Sequence, residues 1–194
     1  MKLRTVAATA ALVLLALSGC TANDGLANQY AEGSGDGYIS GDGSLTEIPS
    51  DQRGEPIVFS GTDEQGEPIS NEDFAGSVYV VNFWYAACPP CRVEAPDLVA
   101  LSNEYTDVPF VGVNIFDGAD VATSFATKFD VPYPSILDAD TASVQLAFAG
   151  IVSPNAVPTT LVIDREGRVA ARISGVVREQ SILATMIDTV VAEK

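Results

Sequence analysis

The chain predicts one α/β domain built on a mixed sheet, and three features of its sequence carry that prediction. Two continuous apolar runs, Ser77 to Tyr85 and Pro109 to Phe116, are separated by a stretch of helical length, the pattern of a parallel βαβ unit. Nearer the C-terminus, Pro158 to Asp164 and Arg168 to Ser174 flank Arg165-Glu166-Gly167, the signature of an antiparallel hairpin. The chain from about residue 51 to Lys194 suits one hydrophobic core and not two.

Taken in order, Glu55 to Ser60 and Glu67 to Ser70 around the turn at Thr62 to Gly66 predict a short β-hairpin, followed by a brief helical turn at Asn71 to Phe74. Ser77 to Tyr85 is then a buried strand. Pro89 to Tyr105 is a helix that turns Val93, Leu98 and Leu101 inward, and Pro109 to Phe116 is the second core strand. A helical insertion occupies the middle of the domain. Asp120 to Phe129 places Val121, Phe125 and Phe129 at i, i+4 and i+8, Ser135 to Leu137 adds a short strand, and Thr141 to Phe148 a short helix. After the hairpin, Glu179 to Val191 closes the chain as a helix with Ile182, Leu183, Met186, Ile187 and Val190 on its inner face.

The N-terminus reads differently. Lys2 and Arg4 form a short basic region ahead of an apolar stretch, Val6 to Leu17, that is too short to span a bilayer at about 20 residues and has the length of an export signal. Residues 1–19 are therefore expected to be a signal peptide. Leu17-Ser18-Gly19-Cys20 resembles the lipobox of bacterial lipoproteins, which implies lipidation of Cys20 and a mature chain starting there. Residues 20–50, rich in Gly, Ser, Asn and Asp and free of basic side chains between Thr21 and Gln52, are expected to be a flexible tether between that anchor and a domain spanning 51–194. The Asp/Gly pattern lacks the later bidentate Glu of a calcium loop. The implied location is the extracytoplasmic face of the cell membrane.

Formal charge is −16, and −18 once Lys2 and Arg4 leave with the leader, so nucleic acid is not expected as a partner. Lipidation consumes one of the three cysteines, leaving Cys88 and Cys91 for the soluble part. These two stand where the first core strand gives way to the helix. A Cys-X-X-Cys pair on a first helical turn closes a small disulfide ring, and the helix dipole favours a thiolate there. Outside the cytoplasm such a disulfide persists. The pair is therefore expected to cycle between dithiol and disulfide, with no metal or organic cofactor.

Val81-Asn82-Phe83-Trp84 running into Cys88-Pro89-Pro90-Cys91-Arg92, then Val111 to Ile115, and finally Val157-Pro158-Thr159-Thr160-Leu161-Val162-Ile163-Asp164 before Glu166-Gly167, together resemble the thioredoxin-fold proteins of the TlpA/ResA group. The resemblance covers most of residues 51–194. It implies a thioredoxin-like fold and a membrane-tethered thiol–disulfide oxidoreductase acting on protein disulfides, with apocytochrome c as a possible client and a membrane thiol–disulfide protein as electron donor. It also implies a cis peptide bond before Pro158 that turns the Val157 backbone toward an extended client segment. Pro89 and Pro90 are expected to face the client as well, and Trp84 and Tyr85, at the strand end, either shape the rim or belong to the core. The chain departs from the group in two places. Ala87 stands where relatives usually carry a tryptophan before the first cysteine, and Asn82 stands where cytoplasmic thioredoxins bury an aspartate. Another acid must then move the proton. Asp117, which follows the second core strand where ResA-like proteins have a glutamate, is the candidate, and capping the next helix is its alternative role. Glu94, one turn beyond Cys91, is ranked second because that position can equally face water.

Cys88 at the N-cap is expected to attack and Cys91 to resolve the mixed disulfide. Pro89 and Pro90 carry no N–H, so among the first three helical positions only the Cys91 amide is left to stabilise the Cys88 thiolate. The chain has no histidine to add positive charge. These features predict a Cys88 pKa nearer the ~7 of thioredoxin than the ~3.5 of DsbA, and a pair suited to reduction. Structural zinc lacks its remaining ligands, and the helix start does not match a peroxiredoxin. Disulfide oxidation, or a binding module with an inert disulfide, are the competing readings.

Overall fold

The computed structural model describes residues 45–153 and 156–193, so the predicted signal peptide, Cys20 and most of the predicted tether lie outside the described residues. The central sheet has six strands: β1 (Leu45–Glu47), β4 (Tyr79–Trp84), β5 (Phe110–Asn114), β6 (Ser135–Leu137), β7 (Thr159–Ile163) and β8 (Val169–Ser174). Their order across the sheet is β1-β8-β7-β4-β5-β6. β4, β5 and β6 run parallel, whereas β7 and β8 are antiparallel and join the free side of β4, so the sheet is mixed. The remaining two strands, β2 (Ser60–Thr62) and β3 (Pro68–Ser70), form a separate hairpin that leads into a 3-10 turn at Asn71–Phe74. This is a thioredoxin-like α/β fold.

Among the described residues four helices flank the sheet: α1 (Pro89–Glu104), α2 (Ala119–Phe129), α3 (Ser143–Ala147) and α4 (Gln180–Ala192). Val81, Phe83, Val111 and Val113 bury one sheet face with Phe59, Phe74 and Phe148, while Val80, Leu98, Leu101, Leu183 and Ile187 fill the other beneath α1 and α4. Adjacent β4 residues thus point into different cores, which is why the strand reads as a continuous apolar run.

Three expectations change on seeing the fold. Residues 45–47 are not tether but an edge strand, with Leu45, Thr46 and Glu47 paired to Ile173, Arg172 and Ala171. Val93 is 69% exposed and Val121 48% exposed, whereas Glu94 and Ala122 turn inward in their place. The hairpin after residue 55 is shorter than predicted, because Pro56 to Phe59 run to the β2 start without pairing as strand.

Candidate active site

β4 delivers its last residue, Trp84, to the edge of the sheet where α1 begins. Cys88 is the N-cap of α1, with Pro89 and Pro90 in the first two helical positions. Their fixed φ suits a helix start, and their missing N–H groups cost nothing there. The Cys91 amide donates to Cys88 Sγ at 3.2 Å, and the Arg92 amide donates to the Cys88 carbonyl at 3.2 Å. Cys88 and Cys91 form a disulfide with Cα atoms 5.3 Å apart. Both residues are only 2% exposed, ringed by Tyr85, Ala86 and Val157, while Ala87, Pro89 and Pro90 stand open to solvent. The Val157–Pro158 peptide bond is cis.

Glu94, three residues beyond Cys91, is wholly buried on the same face of α1. Its carboxyl accepts from Asn82 Nδ2 at 2.9 Å and from the Val177 amide at 2.9 Å, and the same Asn82 amide also donates to Thr160 Oγ1 at 3.1 Å. Burial pushes the Glu94 carboxyl up from 4.5 to about 7, outweighing the two hydrogen bonds that favour its charged form. A cavity of about 10 Å³, room for one water molecule, is lined by Asn82, Cys91, Trp84, Tyr133 and Ser135. Asn82 thus touches both the carboxyl and the space under Cys91.

Asp117, the expected shuttle, lies at the sheet edge expected for it, against the loop that leads to Cys88. Its Oδ2 accepts from the Ala86 amide at 2.6 Å and from Asn114 Nδ2 at 2.9 Å, and its own amide donates to Asn114 Oδ1 at 2.7 Å. The carboxylate is committed to holding two loops together, and the N-cap of α2 is Gly118 rather than Asp117. Trp84, expected on the rim, is 5% exposed: its ring packs on Phe125 with centroids 4.3 Å apart, and Nε1 donates to Ser135 Oγ at 3.1 Å. It floors the site rather than rimming it.

Sequence reasoning ranked Glu94 second because a position one turn beyond Cys91 does not by itself define a face. The signal that could have raised it was Asn82, a buried amide on β4 that needs a partner. Arg92 was also passed over. Its guanidinium donates to the Ala86 carbonyl at 3.0 Å and lies 5.3 Å from the centre of the Phe129 ring.

The pattern that defines the Redoxin family matches residues 46–187. The chain belongs to the Redoxin family. It is 34% identical over 126 residues to "Thiol:disulfide interchange protein HelX" of Rhodobacter capsulatus, covering 64% of this chain and 68% of that protein. It is 32% identical over 125 residues to "Thiol-disulfide oxidoreductase ResA" of Bacillus subtilis, covering 62% of this chain and 65% of ResA. Among solved structures, a DsbF homologue from Corynebacterium diphtheriae superposes with a TM-score of 0.68 at 27% identity, covering 78% of this chain and 96% of that one. This Redoxin chain is thus similar to proteins named for thiol–disulfide exchange, and its Cys88–Cys91 disulfide stands at a helix mouth.

Proposed function

We propose that this Redoxin chain is a thiol–disulfide oxidoreductase that reduces protein disulfides through Cys88 and Cys91. The observation that carries the reading is the Cys88–Cys91 disulfide at the mouth of α1, with a buried acid, Glu94, one helical turn beyond Cys91 on the same face of the helix. In the reduced protein the Cys88 thiolate attacks a client disulfide, forming a mixed disulfide and releasing one client thiolate. Cys91 then yields its proton to the Glu94 carboxylate, and its sulfur attacks Cys88 Sγ, releasing the second client thiolate and closing the Cys88–Cys91 disulfide. Two electrons pass to the client. A carboxyl raised to about 7 is matched to accepting and returning that proton near neutral pH.

Reduction rather than oxidation is favoured by the poor stabilisation of the Cys88 anion. Only the Cys91 amide reaches its sulfur among the first-turn N–H groups, and Arg92 spends its guanidinium on the Ala86 carbonyl. The client-facing surface is assigned to Pro89, Pro90, Val157 and Pro158, with apocytochrome c the leading client because of the resemblance to ResA. Export and lipidation at Cys20, with a membrane thiol–disulfide protein as electron donor, complete the reading. Export and lipidation rest on the leader sequence, and the electron donor on the resemblance to the TlpA/ResA group.

Trapping tests it. Cys91→Ala in the native cell should leave Cys88 in a mixed disulfide with its client, recoverable under non-reducing conditions and absent when Cys88 is also replaced by Ser. A failure to trap any protein with an otherwise folded Cys91→Ala chain would contradict the reading.

A further inference from the structure

The disulfide offers a client almost no surface of its own, since Cys88 and Cys91 are each 2% exposed. Binding must come from neighbouring residues. Among the described residues an exposed aromatic side chain stands close to the Cys88 loop: Phe116, 63% exposed, is set edge-on against Tyr85 with ring centroids 5.2 Å apart. Tyr85 in turn packs against the Cys88 and Cys91 cluster, and its carbonyl accepts from the Cys88 amide at 3.2 Å. Phe116 is therefore linked through Tyr85 to the loop that carries Cys88.

Its backbone is firmly held. The Phe116 amide donates to Asn114 Oδ1 at 3.0 Å, Asn114 is fully buried, and Asp117 Oδ2 bridges Asn114 to the Ala86 amide of the neighbouring loop. The Ile115 amide continues the ladder onto the Trp84 carbonyl at 3.1 Å. An exposed aromatic ring on a pinned loop loses little entropy when it is covered, which is the property of a binding anchor. The residue before Cys88 is Ala87, too small to supply such a ring itself.

We propose that Phe116, backed by Tyr85, is the specificity-determining contact of this site and takes client polypeptides that carry a large apolar side chain close to the disulfide cysteine. This rests on the oxidoreductase reading above. The occupant is a client segment because the patch is continuous with the disulfide that the client must reach.

The test uses the chain carrying Cys20→Ala, reduced and freed of reductant, mixed in single turnover with two peptide disulfides of equal charge, one with Leu and one with Ser beside the cysteine. The wild-type residue at 116 should favour the Leu peptide by about tenfold in second-order rate constant, the scale of one large side chain partly withdrawn from water. Phe116→Ser should bring the ratio to within about twofold, and Phe116→Tyr should retain it. A ratio near one with Phe116 present, a ratio unmoved by Phe116→Ser, or an equal loss on both peptides would each overturn the proposal. So would a dimer that Phe116→Ser dissociates, since a second copy would then be the occupant. Exchange with the Ser peptide tests the underlying chemistry separately: if neither peptide reacts, the oxidoreductase reading falls and the anchor with it.

Discussion

Asn82 Nδ2 lies 2.9 Å from Glu94 Oε1, so a buried amide on β4 holds a buried carboxyl on α1. The strand that leads to the disulfide therefore also holds the buried acid one turn beyond Cys91. Asn82 cannot titrate, but it fixes where the neighbouring proton resides, and its side chain borders the cavity under Cys91.

Glu94→Gln keeps the Asn82 contact and removes the proton acceptor. The resolving step, followed as release of the second client thiol at pH 7, should slow by about tenfold or more. The inflection expected near the Glu94 pKa of about 7 should disappear from its pH–rate profile.

The same carboxyl makes stability fall with rising pH. Its pKa is about 7 in the fold against 4.5 unfolded, so between these values the folded chain holds a proton that the unfolded chain has released. The destabilisation is absent below about pH 4.5 and complete above about pH 7, reaching on the order of 3 kcal/mol. Urea unfolding of the oxidised chain at pH 5 and pH 8 should show the drop, and Glu94→Gln should flatten it. A wild-type stability that rises through this window after subtraction of the Glu94→Gln curve would contradict the assignment.

Asp117→Ala removes the clamp between Ala86 and Asn114. The expected loss is about 1–2 kcal/mol of stability by urea unfolding, with the pH–rate inflection staying in place. Displacement of that inflection would return the shuttle role to Asp117.

Gly112 lies against the floor of the site. A Cβ there would run into Ser135 Oγ and come within 2.7 Å of Trp84 Nε1, so the Trp84–Ser135 hydrogen bond cannot survive Gly112→Ala unchanged. The cost should be about 1–3 kcal/mol. Trp84 is the single tryptophan of the chain, so its fluorescence reports the disturbance directly.

These cases show what a single sequence exposes. The core strands β4 and β5 were legible because both their faces are buried and each run is mostly apolar, and β7 because Arg165-Glu166-Gly167 marks the turn that joins it to β8. The Cys88 N-cap and the two prolines followed from spacing alone. β1 was not legible: Leu45–Glu47 is three residues long, and it is a strand only because β8 lies beside it, with Thr46 paired to Arg172, 126 residues further along the chain. Glu94 and Val93 exchanged expected places because α1 carries apolar residues on its outer side as well, and only the partners Asn82 and Val177, from β4 and from the segment after β8, decide which side is buried.

The central claim is that Cys88 and Cys91 exchange electrons with another polypeptide. The most direct measurement is mass spectrometry of the reduced Cys20→Ala chain after mixing with a peptide disulfide. The account predicts full conversion to the Cys88–Cys91 disulfide with release of peptide thiol, a stalled peptide adduct for Cys91→Ala, and no reaction for Cys88→Ser. Activity that survives Cys88→Ser, or a reduced chain that leaves the peptide disulfide intact, would contradict it.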